Sequence, residues 1–220
     1  MKKIILLSTL WLAACILVQA QPSHGQKERL FFASISGGPA FPISDFASND
    51  LAGNSQAGFA KTGFSLNLQA GYQFDQNLGV TAQFMYSMHG LQLGDYAALG
   101  IQADHWQYYG LAVGPRLVMP ISDKFKLDLK ALGGIARVNS PQVSYLATPI
   151  LEQQWVNSFI MNVGMDLRYL LNDRLYLVAG ADFYNIKPNF HLVNAEGTAT
   201  ATATQKINDM PVSIGIGIAF

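Results

Sequence analysis

The chain has 220 residues with 14 basic and 14 acidic side chains, so its formal net charge at pH 7 is +0. Charged residues make up 13% of the sequence, well below the share in a typical soluble domain, whereas hydrophobic residues make up 50%. The neutral balance and the lack of a basic run exclude the electrostatic surface of a nucleic-acid-binding protein. The scarcity of charge argues against an ordinary water-exposed surface.

The N-terminus has the pattern of a cleaved signal peptide. Lys2 and Lys3 precede a long apolar stretch, and Val18-Gln19-Ala20 offers the small residues at which a signal peptidase cuts. We therefore predict three regions: a signal peptide over 1–20, a short periplasmic tail over 21–29 and an outer-membrane barrel over 30–220.

A second interpretation of the leader stays open. Leu12-Ala13-Ala14-Cys15 resembles a lipobox, in which Cys15 would become a lipidated N-terminus after cleavage. Cys15 is the only cysteine in the chain. If cleavage follows Ala20 instead, the mature protein has no thiol, which excludes disulfides and cysteine catalysis.

Beyond the leader, apolar and polar residues alternate with a period of two. Phe64, Leu66 and Leu68, for example, alternate with Ser65 and Asn67, which indicates a strand with one apolar face. No apolar run after the leader approaches the ~20 residues that a membrane-spanning helix needs, so a membrane crossing requires strands. The alternation predicts strands at 30–41, 63–74, 78–88, 109–119, 125–138, 159–169, 175–183 and 212–220.

Short and long connections between these strands alternate strictly. The short ones are 75–77, 120–124 and 171–174, and the long ones are 42–62, 90–104, 139–154 and 186–209. This order is typical of bacterial outer-membrane barrels, which have short periplasmic turns and long extracellular loops. We therefore predict an all-β fold, an eight-stranded antiparallel up-and-down transmembrane β-barrel.

Aromatic residues near the strand ends suggest the two interfacial girdles of such a barrel. We expect Trp106, Tyr108 and Trp155 in the extracellular girdle, and Tyr72, Phe74, Tyr169 and Phe220 in the periplasmic one. Between the girdles, the predicted lipid faces carry no Asp, Glu, Lys or Arg. A basic residue at the bilayer midplane would cost ~2 to 4 kcal/mol, so this absence favours a lipid environment.

The opposite faces of these strands carry ionisable residues that would point into the barrel. A narrow eight-stranded barrel is filled by its own side chains, so these groups are expected to plug the lumen as a structural ion network. A proton or ion relay is the functional alternative. The predicted network consists of Arg116, Lys126, Asp128, Lys130, Asp166, Arg168 and Asp182.

The histidines give little support for catalysis. His89, His105 and His191 fall at or beyond the predicted extracellular strand ends, without metal-ligand spacing or a nucleophile motif beside them. We predict no catalytic residue, no metal site and no cofactor. Two alternatives remain: a lipid-modifying enzyme that uses His89 or His105, and a secreted lipocalin-like barrel with its apolar stripes inside.

The residues also resemble a known family, the outer-membrane β-barrel domain proteins of gram-negative bacteria, which include PorT-like and OmpA- and OmpX-like small barrels. The resemblance rests on Gln19-Ala20-Gln21 around the leader's cleavage site, on the motifs that begin at Ser36, Ala60 and Gly114, and on the aromatic C-terminus. It implies no shared reaction. It does imply that the last strand is read by the barrel-insertion machinery, a role that would belong to Ile214, Ile216, Ile218 and Phe220.

The expected partners follow from this assignment. Outer-membrane lipid and the insertion machinery are common to such barrels, and PorT-like members are associated with a protein secretion system. The candidates for a protein partner are a secretion-system component or an extracellular protein, whereas nucleic acid is not expected. The alternating Thr and Ala residues of 196–204 predict a ribbon that extends the last hairpin above the membrane.

Overall fold

The computed structural model describes residues 31–50, 53, 56–146, 148–151, 153–193 and 199–220. The predicted signal peptide and periplasmic tail lie outside the described residues. Eight long strands form the body of the protein. They are β1 (Phe31–Ile43), β2 (Gly63–Gln73), β3 (Leu78–His89), β4 (Trp106–Pro120), β5 (Phe125–Asn139), β6 (Trp155–Leu170), β7 (Leu175–Ile186) and β8 (Ile207–Ala219).

Each of these strands pairs antiparallel with its neighbour along the chain, and β1 pairs with β8 to close the barrel. Closure leaves the body of the barrel without a free strand edge, so every strand is hydrogen-bonded on both sides. The prediction of an eight-stranded antiparallel up-and-down barrel is confirmed. We call the end with the three short connections the turn end and the opposite end the loop end.

The apolar stripes face outward and the polar stripes face inward. On β2, Phe64 and Leu68 are 49% and 43% exposed, whereas Ser65 and Asn67 between them are buried. The same division holds on β8, where Ile214 is 74% exposed and Ser213 is buried. A lipocalin-like ligand barrel requires the reverse arrangement, so that alternative is wrong, and the outer surface fits hydrocarbon rather than water.

Several strands extend further toward the loop end than the alternation predicts. For example, β4 begins at Trp106 rather than at residue 109, and β8 begins at Ile207 rather than at residue 212. The physical reason is that large apolar side chains point inward there. Ile207 is fully buried, so the outward-apolar pattern that marks the rest of each strand fails at this end.

The predicted extracellular girdle is wrong for two residues. Trp106 and Tyr108 are 7% and 0% exposed and point into the lumen, on the same face of β4 as Ala112. Their outward neighbour Tyr109 instead packs against Trp155, with the two rings tilted by 54° and their centroids 5.7 Å apart. An aromatic side chain at a strand end therefore belongs to the girdle only when its position has the outward parity.

Two small sheets extend the barrel at the loop end. One has three strands, Ile101–Ala103, Val143–Tyr145 and Thr148–Leu151. The other pairs Asn189–Val193 with Ala199–Thr204, which confirms the predicted ribbon for its described residues. Among the residues that the structure describes, no helix is long and apolar enough to cross a membrane.

Candidate functional site

The turn-end third of the lumen is closed by a carboxylate between two guanidinium groups. Asp128 accepts a hydrogen bond of 2.7 Å from Nη2 of Arg168, and its other oxygen lies 2.7 Å from Nε of the same residue. Nε of Arg116 lies 3.7 Å from that second oxygen. The Arg116 guanidinium also covers the ring of Phe32 at 3.7 Å. All four side chains are nearly excluded from solvent.

A second cluster next to the first has the opposite composition. Nζ of Lys130 lies 2.9 Å from a carboxylate oxygen of Asp166 and 3.1 Å from one of Asp182. Gln69 donates a further hydrogen bond of 3.2 Å to Asp166. The side chain of Lys130 is fully buried, so both carboxylates depend on it for their compensating charge.

The two clusters compensate each other. The first holds two cations and one anion, and the second holds one cation and two anions, so the six groups together are neutral. Lys126, the seventh predicted member, lies half-buried on the inward face of β5 nearer the turn end, where its Cα pairs with that of Arg168. Neutrality over a short distance is what allows so many ionised groups inside a narrow lumen.

A layer of uncharged polar side chains fills the middle of the lumen. Tyr184 donates a hydrogen bond of 2.8 Å to Asn67, and Gln83 donates to the Tyr184 oxygen at 2.9 Å. Asn162 completes the layer by donating to Gln83 at 3.3 Å. These residues come from β2, β3, β6 and β7, so the layer ties together strands on different sides of the barrel.

A buried His-Asp-Tyr cluster lies near the loop end. Nε2 of His89 lies 3.0 Å from Oδ2 of Asp209, and the Tyr108 hydroxyl donates to the same oxygen at 2.5 Å. The other ring nitrogen of His89 lies 3.1 Å from the backbone oxygen of Lys61. Since a carbonyl oxygen only accepts, Nδ1 of His89 is the donor in this second contact.

The described part of the first long connection, residues 44–50, 53 and 56–62, folds over this cluster and closes the loop end of the lumen. Phe46 is fully buried, and its ring meets those of His89 and Trp106 edge-on at 5.2 and 5.8 Å. Nε1 of Trp106 donates to the backbone oxygen of Gly58 at 2.8 Å. The inward aromatics of β4 are therefore the packing surface for this connection, which we call the first loop.

Neither of the two histidine side chains that the structure describes is an accessible group inside the lumen. His89 has no exposed surface, and His105 is exposed on the loop side of β4. The side chain of His191 lies outside the described residues. Among the described residues, no three His, Cys, Asp or Glu side chains are grouped closely enough to hold a metal ion.

The residues of the predicted insertion signal lie on the outside of the barrel. Ile214 and Ile216 are 74% and 46% exposed on β8, with Ile218 further along the same face. Phe220 is exposed at the turn end, and its backbone N–H donates to the oxygen of Phe31 at 2.8 Å. Their role in insertion stays a prediction.

Replacing His89 should loosen the first loop. His89→Ala removes the edge contact with Phe46 and deprives Asp209 and Lys61 of a hydrogen-bond partner, a loss of about 1 to 3 kcal/mol. We expect trypsin to cleave after the exposed Lys61 at least tenfold faster than in the unmodified protein, because local opening exposes the loop to the protease.

The matched control is His105→Ala, which removes an exposed histidine at the same end of the barrel. Its cleavage rate after Lys61 should stay within twofold of the unmodified protein. Equal rates for His89→Ala and the unmodified protein would show that the buried cluster does not hold the first loop.

Sequence reasoning missed the central and loop-end parts of this lumen. Tyr184 lies on the inward face of β7, and continuing the alternation from Asp182 would have included it. Asp209 lies on the inward face of β8, three residues before the predicted start of that strand. His89, which was predicted at an extracellular strand end, points inward on β3, and its even spacing from Ser87 is the signal for that parity.

Comparisons with known proteins give matches in structure only. No family model matches the sequence, and no curated protein matches it. The Neisserial surface protein A (NspA) superposes with a TM-score of 0.56 at 16% identity, over 86% of this chain and 97% of that chain. The outer membrane protease OmpT from Escherichia coli gives 0.50 at 10% identity, over 91% and 99%. The attachment invasion locus protein Ail of Yersinia pestis gives 0.49 at 17%, over 86% and 98%.

At these identities, the likeness to NspA and OmpT shows the fold alone. That fold is a closed antiparallel barrel of the kind found in outer-membrane proteins. The exterior adds an independent physical argument, since large aliphatic side chains such as Ile135 and Ile214 are 67% and 74% exposed. The chain is therefore an integral β-barrel of the bacterial outer membrane.

Proposed function

We propose that the protein is a non-enzymatic barrel that is closed to solute flow and presents its long loops to the cell exterior for a structural or surface-interaction role. The observation that carries this proposal is the filled lumen. Three layers occupy it in series: the two ion clusters, the amide and tyrosine layer, and the His-Asp-Tyr cluster under the first loop. A barrel filled in this way acts through its outer surface and its loops.

The enzyme alternative has less support from the geometry. A lipid-modifying reaction at His89 requires substrate to reach a side chain that has no exposed surface and already uses both ring nitrogens. The likeness to a protease in the comparisons concerns the backbone only. An altered outer-membrane lipid profile in cells that lack the gene would contradict the non-enzymatic proposal.

The finer resemblance to PorT-like proteins suggests a secretion-associated role as the second candidate. The two loop-end sheets support a protein contact, because they hold parts of the long connections in a fixed shape above the barrel. In biogenesis, Phe220 and the isoleucines of β8 would be read by the insertion machinery. The secretion-associated role and the insertion role both rest on the family resemblance of the sequence motifs.

The orientation of the strand faces can be tested in vesicles with nitroxide labels. Leu68→Cys places a label on the outward face of β2, and Lys124→Cys places one in an exposed short turn. We expect the label at Leu68 to collide mainly with oxygen, which concentrates in hydrocarbon, and the label at Lys124 with a water-soluble nickel chelate. A label at Leu68 that collides mainly with the nickel chelate would contradict membrane insertion.

A further inference from the structure

A groove of about 470 Å³ lies on the outer surface of the barrel, where β6 and β7 approach the loop end. Its lining changes along the barrel axis. Phe159 and Met161, which are 61% and 54% exposed, form the part nearer the membrane midplane. Asn157, Lys187 and Asn189 form the part nearer the loops. The volume is in the range of small-molecule sites, and the order of apolar and polar surface matches that of a lipid.

Amide groups mark the level at which hydrocarbon gives way to the headgroup region. Asn185 also lines the groove, and its Nδ2 donates to Oδ1 of Asn208 on the outward face of β8 at 2.6 Å. Amides are costly in hydrocarbon but fit the interface, where headgroups and water accept hydrogen bonds. The upper part of the groove therefore lies at headgroup depth.

Besides Lys187 in the groove lining, a second cation, Arg137, lies beside the groove on β5. Arg137 is the one charged residue on the outward faces of the eight barrel strands, all of which the structure describes. Its Cα pairs with that of Asn157, and its guanidinium lies 5.4 Å from the ring of Trp155. Adjacent strands are about 4.8 Å apart. Arg137 on β5 and Lys187 just beyond the end of β7 therefore lie on the two sides of β6, about two strand spacings (~10 Å) apart, a span that one diphosphorylated headgroup can bridge.

The charge of this surface selects the ligand. The lining residues include an ammonium group and no carboxylate, and Arg137 adds a guanidinium, the group that binds phosphate oxygens in a bidentate manner. A zwitterionic or neutral headgroup would leave this positive charge uncompensated. A phosphorylated headgroup would compensate it and accept hydrogen bonds from the asparagine amides.

We propose that this groove binds one lipid of the outer leaflet through its phosphorylated headgroup, with Arg137 and Lys187 contacting the phosphate and with Phe159 and Met161 contacting an acyl chain. The inference rests on the proposed function, since only a barrel inserted with its loops outside presents the groove to that leaflet. The inference adds one specific lipid-binding site to an outer surface that otherwise makes only non-specific contacts with acyl chains.

The test measures lipid binding to the purified mature protein in maltoside micelles. The probe is lipid A, a diphosphorylated glucosamine lipid, and bound lipid is counted by native mass spectrometry across a titration. The variant is Arg137→Gln with Lys187→Gln. The matched control is Lys124→Gln with Arg174→Gln, which removes two exposed cations from the turn end.

We expect the groove variant to bind lipid A at least tenfold more weakly than the unmodified protein, and the turn-end control to bind within twofold. Dephosphorylated lipid A should bind the unmodified protein as weakly as lipid A binds the groove variant. Unchanged binding by the groove variant, or an equal loss in the control, would overturn the proposal.

Two further outcomes distinguish a lipid site from a simple anion site, and a failure of this inference from a failure of the proposed function. If millimolar inorganic phosphate displaces lipid A completely, the groove is a simple anion site and the lipid assignment is wrong. If the label at Leu68 reports hydrocarbon but the groove variant binds normally, this inference fails while the proposed function stands. A label at Leu68 that reports water would remove the proposed function itself.

Discussion

Lys130→Met should destabilise the barrel by about 3 to 5 kcal/mol, the cost of leaving buried charge without its partner. Nζ of Lys130 lies 2.9 Å from Asp166 and 3.1 Å from Asp182, and its side chain has no exposed surface. Methionine keeps most of the volume, so the loss reports charge rather than packing. The measurement is urea unfolding in micelles, followed by tryptophan fluorescence.

A neutral double variant keeps this prediction specific. Adding Asp182→Asn to Lys130→Met removes one anion together with the cation, so the four remaining charged groups are again neutral in sum and part of the lost stability should return. Lys124→Met removes a lysine that is exposed in a short turn and should change stability by less than about 0.5 kcal/mol. If Lys130→Met unfolds at the same urea concentration as the unmodified protein, the two ion clusters are not a structural plug.

The fold could be predicted from the sequence because, in the wall of a membrane barrel, the polarity of a side chain determines whether it faces the lumen or the lipid. Because lipid lies outside and packed polar groups lie inside, polar and apolar residues must alternate along each strand, as Asn67 and Leu68 do. In an up-and-down barrel, strands that follow each other in the chain are also neighbours in the sheet. The same argument identified Lys130 and Asp166 as lumen residues, since each lies at an inward position on a strand with an unambiguous register.

The loop end of the lumen was harder to predict because its physical rule is different. There the first loop supplies an apolar plug, so several inward positions take large side chains such as Trp106, Tyr108 and Ile207, and the polar alternation is interrupted. The pairing of His89 with Asp209 joins residues 120 positions apart on β3 and β8, which are not neighbouring strands. The spacing of residues along the chain does not predict a contact across the lumen, because such a contact depends on how the closed barrel brings distant strands face to face.

Gly134→Ala should destabilise the barrel by about 3 kcal/mol or more, and it tests the close approach of β4 and β5. A Cβ at Gly134 would overlap the backbone oxygen of Leu111 and lie 2.5 Å from Cα of Ala112. Backbone atoms of a paired strand cannot rotate away as a flexible side chain can, so the strands must separate. Urea unfolding and the yield of folded barrel, read from gel mobility without heating, measure the effect.

The neighbouring glycine provides the control. A Cβ at Gly133 points to the outer face and meets only the ring of Phe159, at 3.3 Å from Cζ, so a small rotation of that ring accommodates it. Gly133→Ala should therefore leave stability within about 1 kcal/mol of the unmodified value, since alanine also restricts the unfolded chain more than glycine does. Two adjacent residues with the same substitution and different outcomes would tie the loss to the strand interface. Equal effects at both positions would mean that the approach of β4 and β5 is not what requires glycine at position 134.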